Sequence, residues 1–300
     1  GELCGLAPTG VTATRSIDDI IALQPDCVLY MQEGVDSGDV CRILEAGINI
    51  VTTRGEFFCP DKMDPQLREA TEAACRAGGS SLHATGSSPG FITEAVPLVL
   101  TSVARRLDRL TIDEFAYIPE SCSPEMVFDV MGYGRPPGDE FDPNLLAHMA
   151  QTFEQSLSLV ASALSRPLDG VETRGETATA TDRIEIAEGA YIEPGTVAAQ
   201  RITVSGMRDG KALLRFRANW FCAMDLEPAW TLGETGWRVT VEGDTPFDID
   251  IRLPRTSEPV AEQMGGYTAH RAVNAVPYVC AARPGILTLA DMPQIIARLA

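Results

Sequence analysis

A glutamate follows directly on a predicted buried strand in the segment "INIVTTRGEFFCP", residues 48–60. The strand run is β-branched and nearly continuous in apolar character, which is typical of a central parallel strand. Ligands bind at the carboxyl ends of such strands in open α/β sheets. We expect Phe57 and Phe58 to desolvate Glu56 in part, which suits a group that takes up and releases a proton near neutral pH. A solvated loop glutamate is the alternative interpretation.

The cysteines and histidines form no recognisable metal-binding or redox motif. Eight cysteines stand at positions 4, 27, 41, 59, 75, 122, 222 and 280 without a C-x-x-C pair, and the three histidines are widely spaced. The sequence therefore predicts no metal site. Cys122 lies between acidic residues in "PESCSPE", which disfavours the thiolate that a nucleophile needs, and Cys59 is interpreted as a packing residue.

The composition is that of a globular chain with a strongly acidic balance. Its 300 residues reach the upper limit for a single core, so two domains are expected. A formal net charge of −18 repels phosphate backbones and anionic lipids, which excludes nucleic acid and the membrane surface as partners. The apolar stretch from Ala95 to Ala104 is far shorter than the ~20 residues that span a bilayer. The chain shows no signal-peptide pattern, and its unpatterned cysteines predict a cytoplasmic protein.

Short apolar strands alternate with helices in the first part of the chain. The predicted strands are "GVTAT", "DCVLYM", "INIVTT" and "SLHAT". The predicted helices are "SIDDIIAL", with Ser16 as N-cap, "DSGDVCRILEAG" and "DPQLREATEAACRAGG". This alternation is the pattern of a doubly wound parallel sheet.

The pattern changes after residue 91. A helix in "FITEAVPLVLTSVARRL", a strand in "LTIDEFAYI" and a long helix capped by Asp142 precede a β-rich region whose hairpin turn is Asp209-Gly210. Helices are predicted again in "SEPVAEQMGGYTAHRAVNAVPYVCAA" and "LADMPQIIARLA". We therefore predict a dinucleotide-binding domain over residues 1–91, completed by residues 258–300, and a substrate-binding and dimerisation domain over residues 92–257.

The glycine-rich turn of a dinucleotide-binding domain is missing from these motifs. The first ten residues have no predicted strand before their glycines. The glycine spacing in "GYGRPPG" at 132–138 is one residue too long for the G-x-G-x-x-G fingerprint, and its two prolines have no amide hydrogen to donate to a phosphate. The element order resembles a dinucleotide-binding domain entered at its third strand, as if about 50 residues were lost upstream. We therefore expect a truncated sheet and weak binding of NAD(P) by the chain as it stands.

Three segments together carry a family resemblance: "VTTRGEFFCP", "HATGSSPGF" and "HRAVNAVPYVCAARPGI". They resemble the NAD(P)-dependent amine dehydrogenases and 2,4-diaminopentanoate dehydrogenases of the dihydrodipicolinate reductase-like superfamily, and the likeness runs through essentially the whole chain. The resemblance implies a Rossmann-like domain joined to an α+β domain, with NAD or NADP as cofactor. It also implies reversible oxidative deamination of an amine to a ketone or aldehyde.

The resemblance also assigns residues. It implies that Glu56 contacts the amine and transfers its proton, and that Ser88-Pro89-Gly90 form the turn beside the nicotinamide, with serine where the family has asparagine. The full set of expected cofactor-binding residues is Met31, Gln32, Gly34, Thr53, Ser88, Pro89, Gly90 and Asn274. For Asn274, a helix-end cap before Pro277 is the alternative.

An apolar amine needs a pocket of aromatic and sulfur-containing side chains. The candidates are Phe58, Phe91, Phe128, Met131 and His148, and for each the alternative is an ordinary core position. Two other functions remain open. One is a reductase of another small substrate, disfavoured because the chain lacks paired histidines, and the other is a non-catalytic ligand-binding homologue.

The β-rich region also predicts an oligomer. Apolar and polar residues alternate along "QRITVSGMRDGKALLRFRANWF", and we expect more apolar surface than one layer of helices covers. A homodimer formed through the sheet of residues 197–253 would cover the other face.

Overall fold

The computed structural model describes residues 5, 7–138, 141–254 and 260–297. Its first sheet has four parallel strands in the order β1-β2-β3-β13. These are β1 (Cys27–Tyr30), β2 (Asn49–Thr52), β3 (Ser81–Ala84) and β13 (Gly285–Leu287). A parallel sheet with helical crossovers confirms the predicted Rossmann-like class for this part of the chain.

Local capping signals start and stop the helices of this sheet. Helix α1 (Ile17–Ala22) begins at Ser16, whose hydroxyl accepts from the Asp19 amide. Asp36 and Asp64 cap α2 (Ser37–Glu45) and α3 (Pro65–Gly78) in the same way. At the end of α3, Gly79 adopts a left-handed conformation with φ of +67°.

Two predicted elements near the ends of the chain are wrong. Residues 10–14 ("GVTAT") form no strand and are exposed, because no neighbouring strand pairs with them. In "LADMPQIIARLA", only Leu289–Asp291 forms a 3-10 turn. Pro293 favours extended backbone at Met292, whose ψ is 147°, and this ends the turn. Residues 298–300 lie outside the described part.

The C-terminal region returns to the first sheet. Helix α6 (Val260–Cys280) packs Ala272, Ala275 and Val279 against Val51 of β2. Strand β13 then pairs with β3. The proposed boundaries at 91 and 258 stay a prediction, and residues 258–259 lie outside the described part. None of the described helices is both long and apolar enough to cross a membrane.

The second sheet is mixed and has seven strands in the order β10-β5-β8-β9-β4-β11-β12. Only β4 and β9 pair in parallel, so the predicted, mostly antiparallel sheet is confirmed. Asp209 and Gly210, with φ of +52° and +71°, form the predicted hairpin turn. The strands are β4 (Leu107–Tyr117), β5 (Gly170–Ala180), β8 (Val197–Arg208), β9 (Lys211–Phe221), β10 (Leu226–Glu227), β11 (Gly236–Gly243) and β12 (Phe247–Arg252), with β6 (Ile184–Ala187) and β7 (Ala190–Ile192) forming a separate hairpin.

The two faces of this sheet differ sharply. Helices α4 (Val96–Thr101) and α5 (Pro143–Ala163) cover one face, where the rings of Phe153 and Phe216 stack at 3.8 Å. The other face, which we call the open face, carries ion pairs in its middle, among them Arg217–Asp113 and Arg109–Glu242. The expected excess of apolar surface there is therefore wrong, because the second set of alternating residues is charged.

Helices α2 and α3 cross so closely that only glycine fits at position 78. A Cβ there would lie 1.9 Å from Leu44 O and 2.8 Å from Gly47 N, which are backbone atoms that cannot turn aside. We expect Gly78→Ala to lower the free energy of unfolding by about 3 kcal/mol. Gly265 in α6 is exposed with no atom within 4 Å of its Cβ position, so Gly265→Ala should instead stabilise by about 0.5–1 kcal/mol. Urea unfolding of both variants checks this, and equal effects would contradict it.

Candidate functional site

The carboxyl ends of three neighbouring strands are bonded together at Thr52. Its hydroxyl donates to Tyr30 O at the end of β1 (2.7 Å) and accepts from the Arg54 amide (3.1 Å). Its carbonyl accepts from the Thr85 amide after β3 at 2.8 Å. Because Thr52 is fully buried, these bonds set the positions of the loops that follow β1, β2 and β3.

Glu56 lies in a single 3-10 turn, Gly55–Phe57, directly after β2. Arg54 holds its carboxylate with two hydrogen bonds, Nη2 to Oε1 at 2.7 Å and Nε to Oε2 at 3.2 Å. The same guanidinium donates to Glu33 O in the loop after β1. The carboxylate is thus oriented at the sheet edge by a bidentate partner.

The expected part of Phe57 and Phe58 in desolvating Glu56 stays a prediction. Both phenylalanines are buried in the core of the first sheet. The Glu56 side chain is 30% exposed, and its neighbour is the Arg54 cation. The site therefore has an accessible, ion-paired carboxylate, as a group that meets a cationic ligand from solvent requires.

The turn that follows β3, residues 86–90, faces the same edge. Gly86 lies so close to the neighbouring residues that a Cβ there would be 3.5 Å from Thr268 Cγ2 and 3.9 Å from Thr53 Cγ2. The hydroxyls of Ser87 and Thr268 are hydrogen-bonded at 2.7 Å. The turn is thus fastened to α6 on one side and adjoins the end of β2 on the other.

Several predicted cofactor-binding residues meet at this edge. Met31, Gln32 and Gly34 are exposed in the loop after β1, and the Thr53 hydroxyl donates to Met31 Sδ at 3.5 Å. Pro89 and Gly90 close the turn after β3, with Gly90 at φ of +124°. These residues come from the ends of three adjacent strands, which is where open α/β sheets bind ligands.

One specific observation supports the binding of a nicotinamide cofactor at this edge. The Ser88 hydroxyl is buried and has no hydrogen-bond partner among the described residues, so it has bonding capacity to spare for a group bound at the turn. A cofactor here would be held by the loop after β1, Thr53 and the 86–90 turn. For metals, the described residues contain no cluster of three or more His, Cys, Asp or Glu side chains that could hold one.

Two buried ionisable groups lie directly beneath the turn. Glu94 is 1% exposed, and its Oε2 accepts from the Gly90 amide and from the Thr93 hydroxyl, the latter at 2.6 Å. Burial raises the pKa of Glu94. His83 on β3 is 2% exposed and has Nδ1 2.8 Å from Leu287 O, and burial lowers its pKa.

The predicted substrate-pocket residues are dispersed. Phe58 is buried in the first sheet's core, and Phe91 packs beside the second sheet, below the Arg271 guanidinium. Phe128 and Met131 pack in a separate core cluster of the second sheet. His148 is exposed on α5, so the alternative of a core histidine is wrong.

Asn274 and the cysteines also have definite places. Helix α6 continues through Pro277 to Cys280, so Asn274 caps no helix end, and that alternative is wrong. Its suggested nicotinamide contact stays a prediction, and it is Thr268 of α6 that touches the turn. Cys59 is 3% exposed, and burial raises the pKa of its thiol, as expected for a packing residue.

Comparison with known proteins identifies the family. The model of the 2,4-diaminopentanoate dehydrogenase C-terminal domain matches residues 142–300, more than half of the chain. The chain belongs to this family.

Relatives of the family are similar to the chain over most of its length. An amine dehydrogenase of Streptomyces virginiae is 25% identical over 305 residues, covering 98% of this chain and 84% of the relative. A 2,4-diaminopentanoate dehydrogenase of Acetoanaerobium sticklandii is 24% identical over 259 residues, covering 84% of this chain and 68% of the relative. The structure of an amine dehydrogenase from Mycobacterium smegmatis superposes with a TM-score of 0.72 at 20% identity, covering 99% of this chain and 85% of that one. This likeness confirms the fold.

Within this family fold, four residues of the site were not predicted from the sequence. Arg54 stands two positions before Glu56, and a cation that close to a candidate base is a signal that sequence reasoning could have used. Thr268, Glu94 and His83 carry no local signal, because their partners are distant in sequence or become buried only in the folded protein.

The raised pKa of Glu94 predicts a specific pH dependence of stability. In the folded state the carboxyl holds its proton above its ordinary pKa of 4.5, so folding binds a proton there, and stability falls as pH rises through the window from 4.5 to the raised value. Glu94→Gln does not titrate. We expect its melting temperature relative to wild type to increase from pH 5 to pH 8. Scanning calorimetry checks this, with the exposed Glu69→Gln as control, and a constant difference would contradict it.

Proposed function

We propose that the protein catalyses reversible NAD(P)-dependent oxidative deamination of a small-molecule amine to a ketone or aldehyde. One observation carries the proposal: the ion-paired Glu56 and the 86–90 turn occupy the same edge of the parallel sheet. Membership of the 2,4-diaminopentanoate dehydrogenase family and the similarity to an amine dehydrogenase support the same reaction. When bound, the nicotinamide would supply the hydride acceptor or donor.

Glu56 has the chemistry that an amine substrate requires. An amine arrives as an ammonium ion, which a carboxylate attracts and from which it accepts a proton, leaving the neutral amine that can lose hydride. Being partly exposed, Glu56 can release this proton to solvent. The regenerated carboxylate can then take a proton from the water that attacks the iminium carbon of the substrate.

Arg54 leaves Glu56 free to do this. Each oxygen of a carboxylate has two acceptor positions, and Arg54 occupies one on each. One position per oxygen remains for the ammonium and the water. The bond from Arg54 to Glu33 O also ties the base to the loop after β1, so that base and cofactor loop keep a fixed relation.

A large cavity between the second sheet and α6 suits the apolar part of the amine. It has a volume of about 1060 Å³, and its lining includes Tyr117, Phe221, Met224 and Met264. Met264 and Thr268 are four residues apart on α6, hence on the same side of the helix and about 6 Å apart along it. We propose this cavity, instead of the dispersed residues first predicted, as the substrate side-chain pocket.

The other two functions are less well supported. A reductase of another small substrate has no support in the family match, which is to an amine-acting dehydrogenase family. A non-catalytic homologue would have no need of a carboxylate oriented by a bidentate arginine at the cofactor edge.

Glu56→Gln tests the proposed reaction. The change keeps the size of the side chain but removes the proton acceptor and the charge that attracts the ammonium, so kcat for amine oxidation should fall at least about a hundredfold and KM should rise. Stability should change by less than about 1 kcal/mol, since the ion pair with Arg54 is partly exposed. Steady-state kinetics on simple amines at pH 7–10 checks this beside Glu69→Gln. Wild-type turnover in Glu56→Gln would refute the role of Glu56.

We propose further that the protein is a homodimer paired through the open face. The β-sheet register places Glu172, Ser205, Arg215 and Thr111 in one row across β5, β8, β9 and β4. Arg215 forms no ion pair with the described residues, and its Nε is buried without a partner. Burial and the positive charges of Arg109 and Arg217 lower the pKa of Arg215.

A second copy can neutralise this cation. An arginine stays charged in proteins, so a partly buried one that forms no ion pair with the described residues is unfavourable in the monomer. The exposed Glu172 lies two strands away, about 10 Å across the sheet. A two-fold axis between them would place Glu172 of the partner subunit opposite Arg215, which makes the face self-complementary.

Charge exchange tests the dimer. Arg215→Glu or Glu172→Arg alone should weaken dimerisation at least about tenfold, because each creates like-charge contacts across the interface, whereas the double variant should restore it. Light scattering at micromolar concentration and several ionic strengths measures this. A wild-type monomer would overturn the proposal, as would single exchanges that have no effect.

We also propose a cytoplasmic location. All seven cysteines among the described residues are free thiols, as expected in a reducing compartment.

A further inference from the structure

Glu94 has one carboxyl oxygen that the fold uses and one that it leaves unused. Oε2 accepts from the Gly90 amide and the Thr93 hydroxyl, and so holds the end of the turn that the proposed cofactor faces. Oε1 is equally buried and has no hydrogen-bond partner among the described residues. A buried carboxyl oxygen without a partner is costly, so a hydrogen-bond partner must reach it.

His83 presents a matching unused atom. The Leu287 carbonyl can only accept, so the Nδ1 beside it, at 2.8 Å, carries the proton. In the neutral ring Nε2 is then an acceptor, and it too is buried without a partner. Two buried polar atoms that make no hydrogen bond to each other or to other described residues thus share the interior beneath the turn.

The two residues line the same small cavity. It offers about 10 Å³ to the centre of a water molecule, and its other walls are Phe58, Ala84, Thr85, Gly90, Leu159 and Leu289. One water needs roughly 10–15 Å³ by this measure, so the cavity has room for one and not two. A single water can donate one hydrogen to His83 Nε2 and, at Glu94 Oε1, either donate to an ionised carboxylate or accept from a protonated carboxyl.

We propose that one ordered water bridges Glu94 Oε1 and His83 Nε2, and that Glu94 is thereby a positioning residue for the cofactor turn. The water ties Glu94 to β3, while Oε2 ties it to Gly90. The turn is then held from below by β3, in addition to the Ser87–Thr268 bond from the side. Its role toward the cofactor rests on the proposed function, and the water does not.

The other polar and charged groups around the pair are compatible with the bridge. Arg271 of α6 acts electrostatically on both Glu94 and His83, and Asp291, after β13, acts on His83. Ser156 of α5 faces Glu94, but its hydroxyl is outside hydrogen-bonding geometry. A rotated Ser156 that bonds Oε1 directly is therefore the competing arrangement.

A high-resolution crystal structure tests the water independently of any activity. We expect one well-ordered water within about 2.7–3.1 Å of both Glu94 Oε1 and His83 Nε2. An empty cavity, or Ser156 bonded to Oε1 with no water, would overturn the bridge.

Two substitutions at one position test the positioning role. Glu94→Gln keeps an acceptor for Gly90 and Thr93 and offers an amide donor to the water, whereas Glu94→Leu loses both. By fluorescence titration with NADH and NADPH, we expect Glu94→Leu to raise the cofactor Kd about tenfold and Glu94→Gln to stay within about threefold of wild type.

A matched control separates positioning from general loosening of the core. The control is Ile92→Val. Ile92 lies two residues before Glu94 and is fully buried in the second sheet's core, so this substitution should leave the Kd unchanged. Equal Kd values for Glu94→Leu and wild type would overturn the positioning role. If wild type bound a nucleotide but oxidised no amine, the proposed function would fail, while both tests of Glu94 would still stand.

Discussion

The candidate site depends on the bonding of Thr52, which fixes three strand ends relative to one another. Without its bonds to Tyr30 O, the Arg54 amide and the Thr85 amide, the loops after β1, β2 and β3 would be separate connections of the sheet. A threonine suits this position because its β-branch packs in a strand while its hydroxyl both donates and accepts. Since the residue is fully buried, these bonds do not compete with water, and they hold the loops firmly.

Elements with a local code were predictable from the sequence. The N-caps at Ser16 and Asp142 and the Asp209-Gly210 hairpin depend on a few adjacent residues and lie where the sequence predicted them. "GVTAT" failed because strand propensity needs a neighbouring strand, which a local pattern cannot supply. The position of Glu56 at the sheet edge was predictable, since strand ends are visible in the sequence. Its environment was not, since the burial of Phe57 and Phe58 is decided by the packing of the whole domain.

Charge decides how the two faces of the mixed sheet behave. Alternation of residues along β8 and β9 indicates a sheet whose two faces differ. Hydropathy alone does not show whether the second face binds an apolar partner or carries a network of ion pairs. On the open face, most arginines have a carboxylate directly opposite on a neighbouring strand, as Arg217 has Asp113. Arg215 is flanked by Ser205 and Thr111, which carry no charge. Arg215, which forms no ion pair with the described residues, indicates better than any apolar surface where the second copy of the proposed dimer would bind.

The two carboxylates at the site differ in the access that solvent has to them. Glu56 is partly exposed and has an arginine to orient it, so it can meet a cation and return a proton to solvent. Glu94 is sealed beneath the turn, where burial raises its pKa and no substrate can reach it. A sealed carboxylate cannot act on the substrate, but it can hold backbone without being displaced by water or by the ammonium ion. Under the proposed function, Glu56 would act as the accessible base, and the buried Glu94 would hold the turn in place while the charge on Glu56 changes.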